Sequence, residues 1–331
     1  MYCESLISKA NKLFSCQYRG ELASHLPMAL VALERIGASP DRLGDYYANY
    51  VKRLEPKPSS LGQRIDSSNW KDLLGENKYH IEYLDYFNEK LRSDGVEKTL
   101  ESHLPTLFWG VGGGAFHALI RLGYAIETNN VEEVSEALSY WAVSYLDLGA
   151  EILYQNNGKQ SLLGVFNSLH DELHDMAPTG RNISRRMEVV AQSADFQRVV
   201  KGIDVREVSY ESIAPLILQL FAQTLDFTAL HAVTSTHAFR LVSKYCSDVA
   251  RPAFSLYLAI AAAYVTIKAP KVIQGESEVT PNWKELKACA SNSNDDHVPK
   301  IVYSCIEEFN HHGNPLYFEA AKKYASKHLY D

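Results

Sequence analysis

The chain has 331 residues and a formal charge of −7 spread along its length, with 46% apolar and 22% charged residues. It is long enough to bury a large core, and it lacks the clustered basic surface of a nucleic-acid binder. Its five cysteines, Cys3, Cys16, Cys246, Cys289 and Cys305, are odd in number, widely spaced and without C-x-x-C. They argue against a disulfide framework or a cysteine zinc site and fit a reduced, cytoplasmic compartment.

The opening MYCESLISKANKLFSC carries Glu4 and Lys9 inside a helical pattern, so no secretory signal is expected there. Leu22, Leu26, Ala29, Leu30, Leu33 and Ile36 recur at three and four, with Ser24 as N-cap, Pro27 in the first turn and Gly37 as the stop. Helical stripes follow over Tyr79 to Leu91, Ala115 to Ile126, Val131 to Leu148, Ile213 to Leu225, Phe227 to Cys246, Phe254 to Ile267, Val298 to Phe309 and Pro315 to Tyr330. Loops are marked at 55–63, 156–159, 177–181, 273–277 and 291–296 by Pro, Gly, Asn, Asp and Ser. No stretch keeps the period-two alternation of a half-buried strand for more than a few residues. The longest apolar run, Ala253 to Ile267, has 15 residues. A spanning helix needs about 20, so a buried core helix is expected and no membrane association. The expectation is an all-α fold, one multi-helix domain over residues 1–331 enclosing a buried polar or metal centre.

That centre is read from the histidines. His25, His117, His231, His237 and His297 lie in apolar, helix-patterned stretches from separate parts of the chain. A buried neutral imidazole needs partners for both ring nitrogens, so several in one core point to a shared polar centre. His80, His103, His170, His174, His311, His312 and His328 have polar neighbours or lie near loop signals and read as solvated.

His117 and Arg121 are four apart and His237 and Arg240 three apart, which puts imidazole and guanidinium on one side of a helix. Each pair reads either as a packed helix with an arginine at its polar edge or as a base beside a fixed cation. His231 and His237 are six apart, about 9 Å of rise and about 120° of rotation in a regular helix. Either the intervening V233-T-S-T departs from helix geometry or only one of the two is a ligand. His297 and Lys300 are three apart and suit convergence on one centre, though Asp295 and Asp296 in front also read as an ordinary helix start. The run G110-V-G-G-G lacks the preceding strand and following Lys-Ser/Thr of a phosphate loop, and reads as close packing beside the site. Neither a G-x-S-x-G hydrolase motif nor a Rossmann fingerprint occurs.

The motifs H25-L-P-M-A-L-V-A-L, Y46-Y-A-N-Y, G114-A-F-H-A-L-I-R-L-G-Y-A, L230-H-A-V-T-S-T-H-A-F-R and D296-H-V-P-K-I-V-Y-S-C-I-E-E together resemble the questin oxidase-like family across essentially the whole chain. The resemblance implies an oxidoreductase related to fungal enzymes that cleave anthraquinone rings in NADPH-dependent Baeyer–Villiger-type oxidations. It also implies, from a relative resembling a non-haem iron dioxygenase with four histidines and a carboxylated lysine, Fe2+ ligands among His25, His117, His231, His237 and His297. Lys300 is then the carboxylated lysine, with Lys268 as the runner-up.

On this reading an aromatic, polyketide-like small molecule and O2 are the partners. Arg121 or Arg240 steadies developing negative charge, and a histidine outside the ligand set, such as His231, moves protons. Trp109, Phe116, Tyr124 and Phe239 are expected to line the pocket. The alternatives are a metal-free helical ligand-binding protein, an NADPH-dependent Baeyer–Villiger-type oxidase without bound metal, and a di-metal hydrolase, for which D171-E-L-H174 is a single weak echo. The oligomeric state is not legible in the chain.

Overall fold

Short apolar repeats punctuated by polar caps make this chain predominantly helical. The computed structural model describes residues 2–155 and 158–328. Asn156 and Asn157 of the expected loop and Tyr330 of the expected last helix lie outside the described residues.

Helix α1 (Tyr2–Leu13) turns Cys3, Ile7 and Ala10 inward. The stripe read from Leu22 does not start a helix there. Leu22–Ala23 forms β2, paired antiparallel with β1 (Gln17–Tyr18) in the only sheet among the described residues. Between them Arg19 and Gly20 take positive φ values of 47° and 91°, a turn that reverses the chain. Helix α2 (Leu26–Arg35) begins one residue later than a Ser24 cap would give, with His25 in the cap position instead. The His25 side chain makes no capping bond. Gly37 ends the segment at φ 100°, as its place after the last apolar residue requires.

Helix α3 (Pro40–Tyr50) is capped by the Ser39 side chain. Helix α4 (His80–Leu107) runs well past the expected end at Leu91 and bends at Gly95, where φ is 79°. Helices α5 (His117–Glu127) and α6 (Val131–Ser144) follow, the second capped by Asn130. Helices α7 (Ala150–Leu153), α8 (Leu162–Leu173), α9 (Ile183–Ala191) and α10 (Ala194–Val200) come next, none of them among the expected stripes. Helix α11 (Tyr210–Thr224) carries a capping box at Ser209 and Ser212, and α12 (Phe227–Val242) is capped by Asp226. Helix α13 (Ala250–Thr266) is the apolar run, buried on nearly every face. Then come α14 (Trp283–Ala290), α15 (His297–His312), stopped by Gly313 at φ 69°, and α16 (Leu316–His328).

No described helix is long and apolar enough to cross a membrane. All five cysteines are free. Helix α5 packs chiefly against α12 and α6, α12 also against α15, and α15 against α2. That arrangement brings together the first turns of α2, α5, α12 and α15, which carry four of the five core-patterned histidines.

The glycine run makes the entry to α5 possible. A Cβ on Gly113 would sit 1.8 Å from the Ser144 carbonyl oxygen, and one on Gly110 would sit 2.2 Å from the Tyr145 ring. Gly114, Ala115 and Phe116 then adopt consecutive left-handed conformations with φ of 57°, 52° and 68°. Two of these are not glycine, a strain that surrounding packing must hold in place. The chain reverses sharply and delivers His117 as the first residue of α5.

Gly113→Ala should therefore cost about 2 kcal/mol or more by overpacking against backbone that cannot rotate away. Urea unfolding of the variant checks this; an unchanged midpoint would show that the turn yields freely.

Candidate functional site

Four imidazoles and one ammonium group meet at this junction. The His25 and His117 rings stack at 4.3 Å between centroids, His117 and His231 lie 4.6 Å apart, and His297 lies 4.8 Å from His25 and 5.3 Å from His231. Ligand atoms of His25, His231 and His297 all fall within 4.8 Å of one another. Lys300 reaches in from one turn along α15, its Nζ 3.0 Å from His25 Nδ1. Phe227 packs edge-on against both His231 and His297.

Backbone carbonyls fix two of the tautomers. His117 Nδ1 donates to the carbonyl of Gly114, and His231 Nδ1 to that of Phe227 at 2.7 Å. With the proton on Nδ1, each Nε2 carries a lone pair, and these two Nε2 atoms face each other at 3.1 Å. His297 shares its Nδ1 with Asp295 and Asp296, 3.1 Å from each, and its buried Nε2 has no partner. Asp296 also lies 3.1 Å from His25 Nδ1 and accepts the Tyr50 hydroxyl, which in turn accepts the backbone N–H of His25.

Electrostatics keep His25, His117 and His231 neutral. Burial, with the nearby Lys300 charge, pushes His25 down to about 3. Burial and the neighbouring imidazoles hold His117 and His231 well below their ordinary range. Burial also brings Lys300 down to about 8, with Asp296 and Asp295 opposing the shift. A neutral amine is thus accessible near physiological pH. Burial tends to raise Asp296, but the ring nitrogens of His25 and His297 outweigh it and the carboxylate stays ionised.

A buried cluster of lone pairs aimed at one another, with the opposite nitrogens oriented by carbonyls and carboxylates, fits a metal ion. Neutral imidazoles are the form that binds metal, and a carboxylated Lys300 would add an anionic oxygen. A cavity of about 390 Å³ opens onto His25, His117, His297 and Phe227.

The other expected site residues lie elsewhere. Because α12 stays regular through Val233–Thr236, His237 projects away from His231 and meets Ser304 at 3.1 Å, with its Nε2 3.8 Å from Glu127. Arg121 is not free to meet substrate: Glu133 binds it bidentately at 2.5 and 3.0 Å, and Asn11 takes a further N–H at 3.1 Å. Arg240 pairs at 2.9 Å with buried Glu308, which also accepts the Tyr210 hydroxyl. Lys268 is exposed beyond the end of α13, so it cannot join a buried centre. Trp109, Phe116, Tyr124 and Phe239 serve other parts of the core, and the cavity's aromatic walls are Tyr18 and Phe227.

Sequence reading missed the part played by Asp295, Asp296 and Tyr50. Two acids directly before a histidine were the available signal, and their use as an ordinary helix start masked it. Two histidines read as solvated are also buried. His103 bridges the Tyr86 hydroxyl and the Thr99 carbonyl, and His80 lies 3.5 Å from Glu136.

Fold and site together define an all-helical protein built around a buried histidine–lysine cluster at the end of an open cavity. The questin oxidase-like family profile matches residues 22–305, and the chain belongs to that family. It is 26% identical over 150 residues to Baeyer-Villiger oxidase AgnL3 of Paecilomyces divaricatus, covering 42% of this chain and 32% of the relative. Against Baeyer-Villiger monooxygenase dmxR6 of Cryptosporiopsis sp. it is 23% identical over 166 residues, 46% of this chain and 37% of the relative. The match to Baeyer-Villiger oxidase mdpL of Emericella nidulans is 20% identical over 339 residues and covers 84% and 74% of the two chains. The first two matches thus span about a third of each relative's length.

Arg121→Met leaves Glu133 as an uncompensated buried carboxylate and should cost about 3–5 kcal/mol of stability, measured by denaturant unfolding. Near-native stability would return this arginine to a functional role. Burial pushes Glu127 up to about 7, against a hydrogen bond from the Tyr303 hydroxyl at 2.9 Å. Between its unfolded value of 4.5 and 7 the native protein holds a proton that the unfolded chain has released, so the stability contribution falls as pH rises through that window. Glu127→Gln should then gain on wild type by roughly 1–3 kcal/mol between pH 4.5 and 8. Parallel stability–pH curves for the two proteins would refute the shift.

Proposed function

We propose that this protein is a metal-dependent oxygenase, with iron held by His25, His117, His231 and His297 and by Lys300 after carboxylation, acting on an aromatic, polyketide-like small molecule. The observation that carries the reading is the pair of Nε2 lone pairs of His117 and His231 facing each other at 3.1 Å. In an apolar core two such acceptors repel unless a cation lies between them. Bound iron supplies the one-electron chemistry that lets O2 react with a closed-shell organic molecule. The protein's own groups do the positioning. The carbonyls of Gly114 and Phe227 set the tautomers of His117 and His231, and Asp295 and Asp296 orient His297 and His25. Phe227 and the apolar cavity wall limit water at the reacting face.

The oxidoreductase class is supported by three relatives with Baeyer-Villiger names. Those names also favour a second reading, a metal-free Baeyer–Villiger oxidase drawing electrons from NADPH. That reading leaves the facing lone pairs unexplained. The two differ in balance: a monooxygenase places one oxygen atom in the product and reduces the other to water at the expense of NADPH, whereas a dioxygenase places both in the product.

Protein loaded anaerobically with ferrous ion should hold about one iron per chain, measured by elemental analysis after desalting. His117→Ala should lose the ion and the activity together, and Lys300→Ala should weaken both. Negligible binding of added iron by folded wild-type protein would overturn the metalloenzyme reading.

A further inference from the structure

We infer that Arg186 anchors an oxyanion, a carboxylate or ionised phenol, on the aromatic molecule that enters the histidine-lined cavity; this rests on the proposed reading of that cavity as the substrate pocket. Three arginines line the cavity, Arg53, Arg181 and Arg186, together with two carboxylates, Glu21 and Asp296. Both carboxylates are already engaged. Glu21 is held by Arg181 at 2.5 Å and by Arg185 at 2.9 Å. Asp296 is enclosed by His25, His297 and the Tyr50 hydroxyl, with Arg53 at 3.9 Å and stacked over the Tyr50 ring.

Arg186 is the cation left over. No carboxylate among the described residues pairs with it, and its Nε is buried with no hydrogen-bond partner. The buried Nε is shielded, but the terminal Nη groups are not enclosed and have no protein partner among the described residues, so they are the donors an arriving anion meets at the cavity wall. The contrast with Arg121 and Arg240, whose carboxylates are built into the fold, is the point: here the counter-charge must come from outside. A planar guanidinium offers parallel N–H donors that match a carboxylate and can also grip a single phenolate oxygen. Much of the remaining wall, Leu22, Ala23, Ala115, Ile183 and Phe227, is apolar and suits a flat hydrocarbon body. The first turn of α9, at Ile183 and Ser184, borders the same space and adds the positive end of a helix, a secondary contribution. An oxyanion fixed at Arg186 orients the ring system so that one edge is presented to His25, His117 and His297.

Equilibrium binding of 2-naphthoate and of its neutral isostere 2-naphthamide to the full chain, by calorimetric titration near pH 7.5, tests this. Wild type should prefer the naphthoate by at least ~10-fold, the scale of a charge-assisted hydrogen bond. Arg186→Gln should abolish the preference while leaving naphthamide affinity within about twofold, Arg186→Lys should restore part of it, and Arg181→Gln should leave it intact. A melting curve establishes that each variant is folded. The dye 2,4-dinitro-1-naphtholate, ionised at this pH, supplies the phenolate arm. Tighter Arg186-dependent binding of it than of naphthoate assigns the subsite to phenolates, and the reverse order assigns it to carboxylates. If both naphthalenes bind equally and Arg186→Gln changes neither, the inference falls while the cavity reading stands; if neither binds, both fall.

Discussion

The protein depends on holding several neutral imidazoles in one buried place. Their neutrality is enforced by burial, and their orientation by groups that cannot easily move: two backbone carbonyls, at Gly114 and Phe227, and the paired carboxylates of Asp295 and Asp296. Each of these consumes one ring nitrogen of a histidine and leaves another turned toward its neighbours. Mutual repulsion of lone pairs is a cost that an apolar core would not keep without compensation. The four contributing helix starts, the strained left-handed turn before His117 and the glycines that let that turn press on Ser144 all serve the same geometry.

Around this cluster the core holds several buried charge pairs. Arg121, Glu133 and Asn11 tie α5 to α6 and α1, Lys57 joins the network at Glu136 2.7 Å away, and Arg240, Glu308 and Tyr210 tie α12 to α15 and α11. Such pairs contribute little net stability compared with apolar packing, but losing one partner is costly, so they fix which helices are neighbours. They also explain why an arginine one turn from a site histidine is not automatically a site residue. On α5, His117 and Arg121 lie on adjoining parts of the helix surface, yet the arginine reaches an acid on the next helix while the imidazole turns inward.

Membership of the questin oxidase-like family and the Baeyer-Villiger names of three relatives set the class of chemistry to consider, while the local geometry sets what this chain could do with it. Neutral imidazoles, a lysine whose amine burial brings down to about 8, and an open cavity with one guanidinium unmatched by any carboxylate among the described residues are what this chain brings to that chemistry.

Much of this was legible from the sequence. Period and caps placed most of the long helices, and the burial of His25, His117, His231 and His297 followed from the apolar residues around them. The six-residue spacing of His231 and His237 already implied that a regular helix would send them to different places. Other features lay beyond reach. Gly95 and the Arg19–Gly20 turn changed where helices begin and end, because a single positive φ redirects a chain without altering its apolar pattern. His80 and His103 looked solvated from their neighbours, yet helix packing buried them. Local pattern determines which face of a helix is buried; only the tertiary arrangement decides what it is buried against. That is why Arg121 and Arg240 found carboxylates, and Arg186, from a segment without any marked motif, was left facing the cavity.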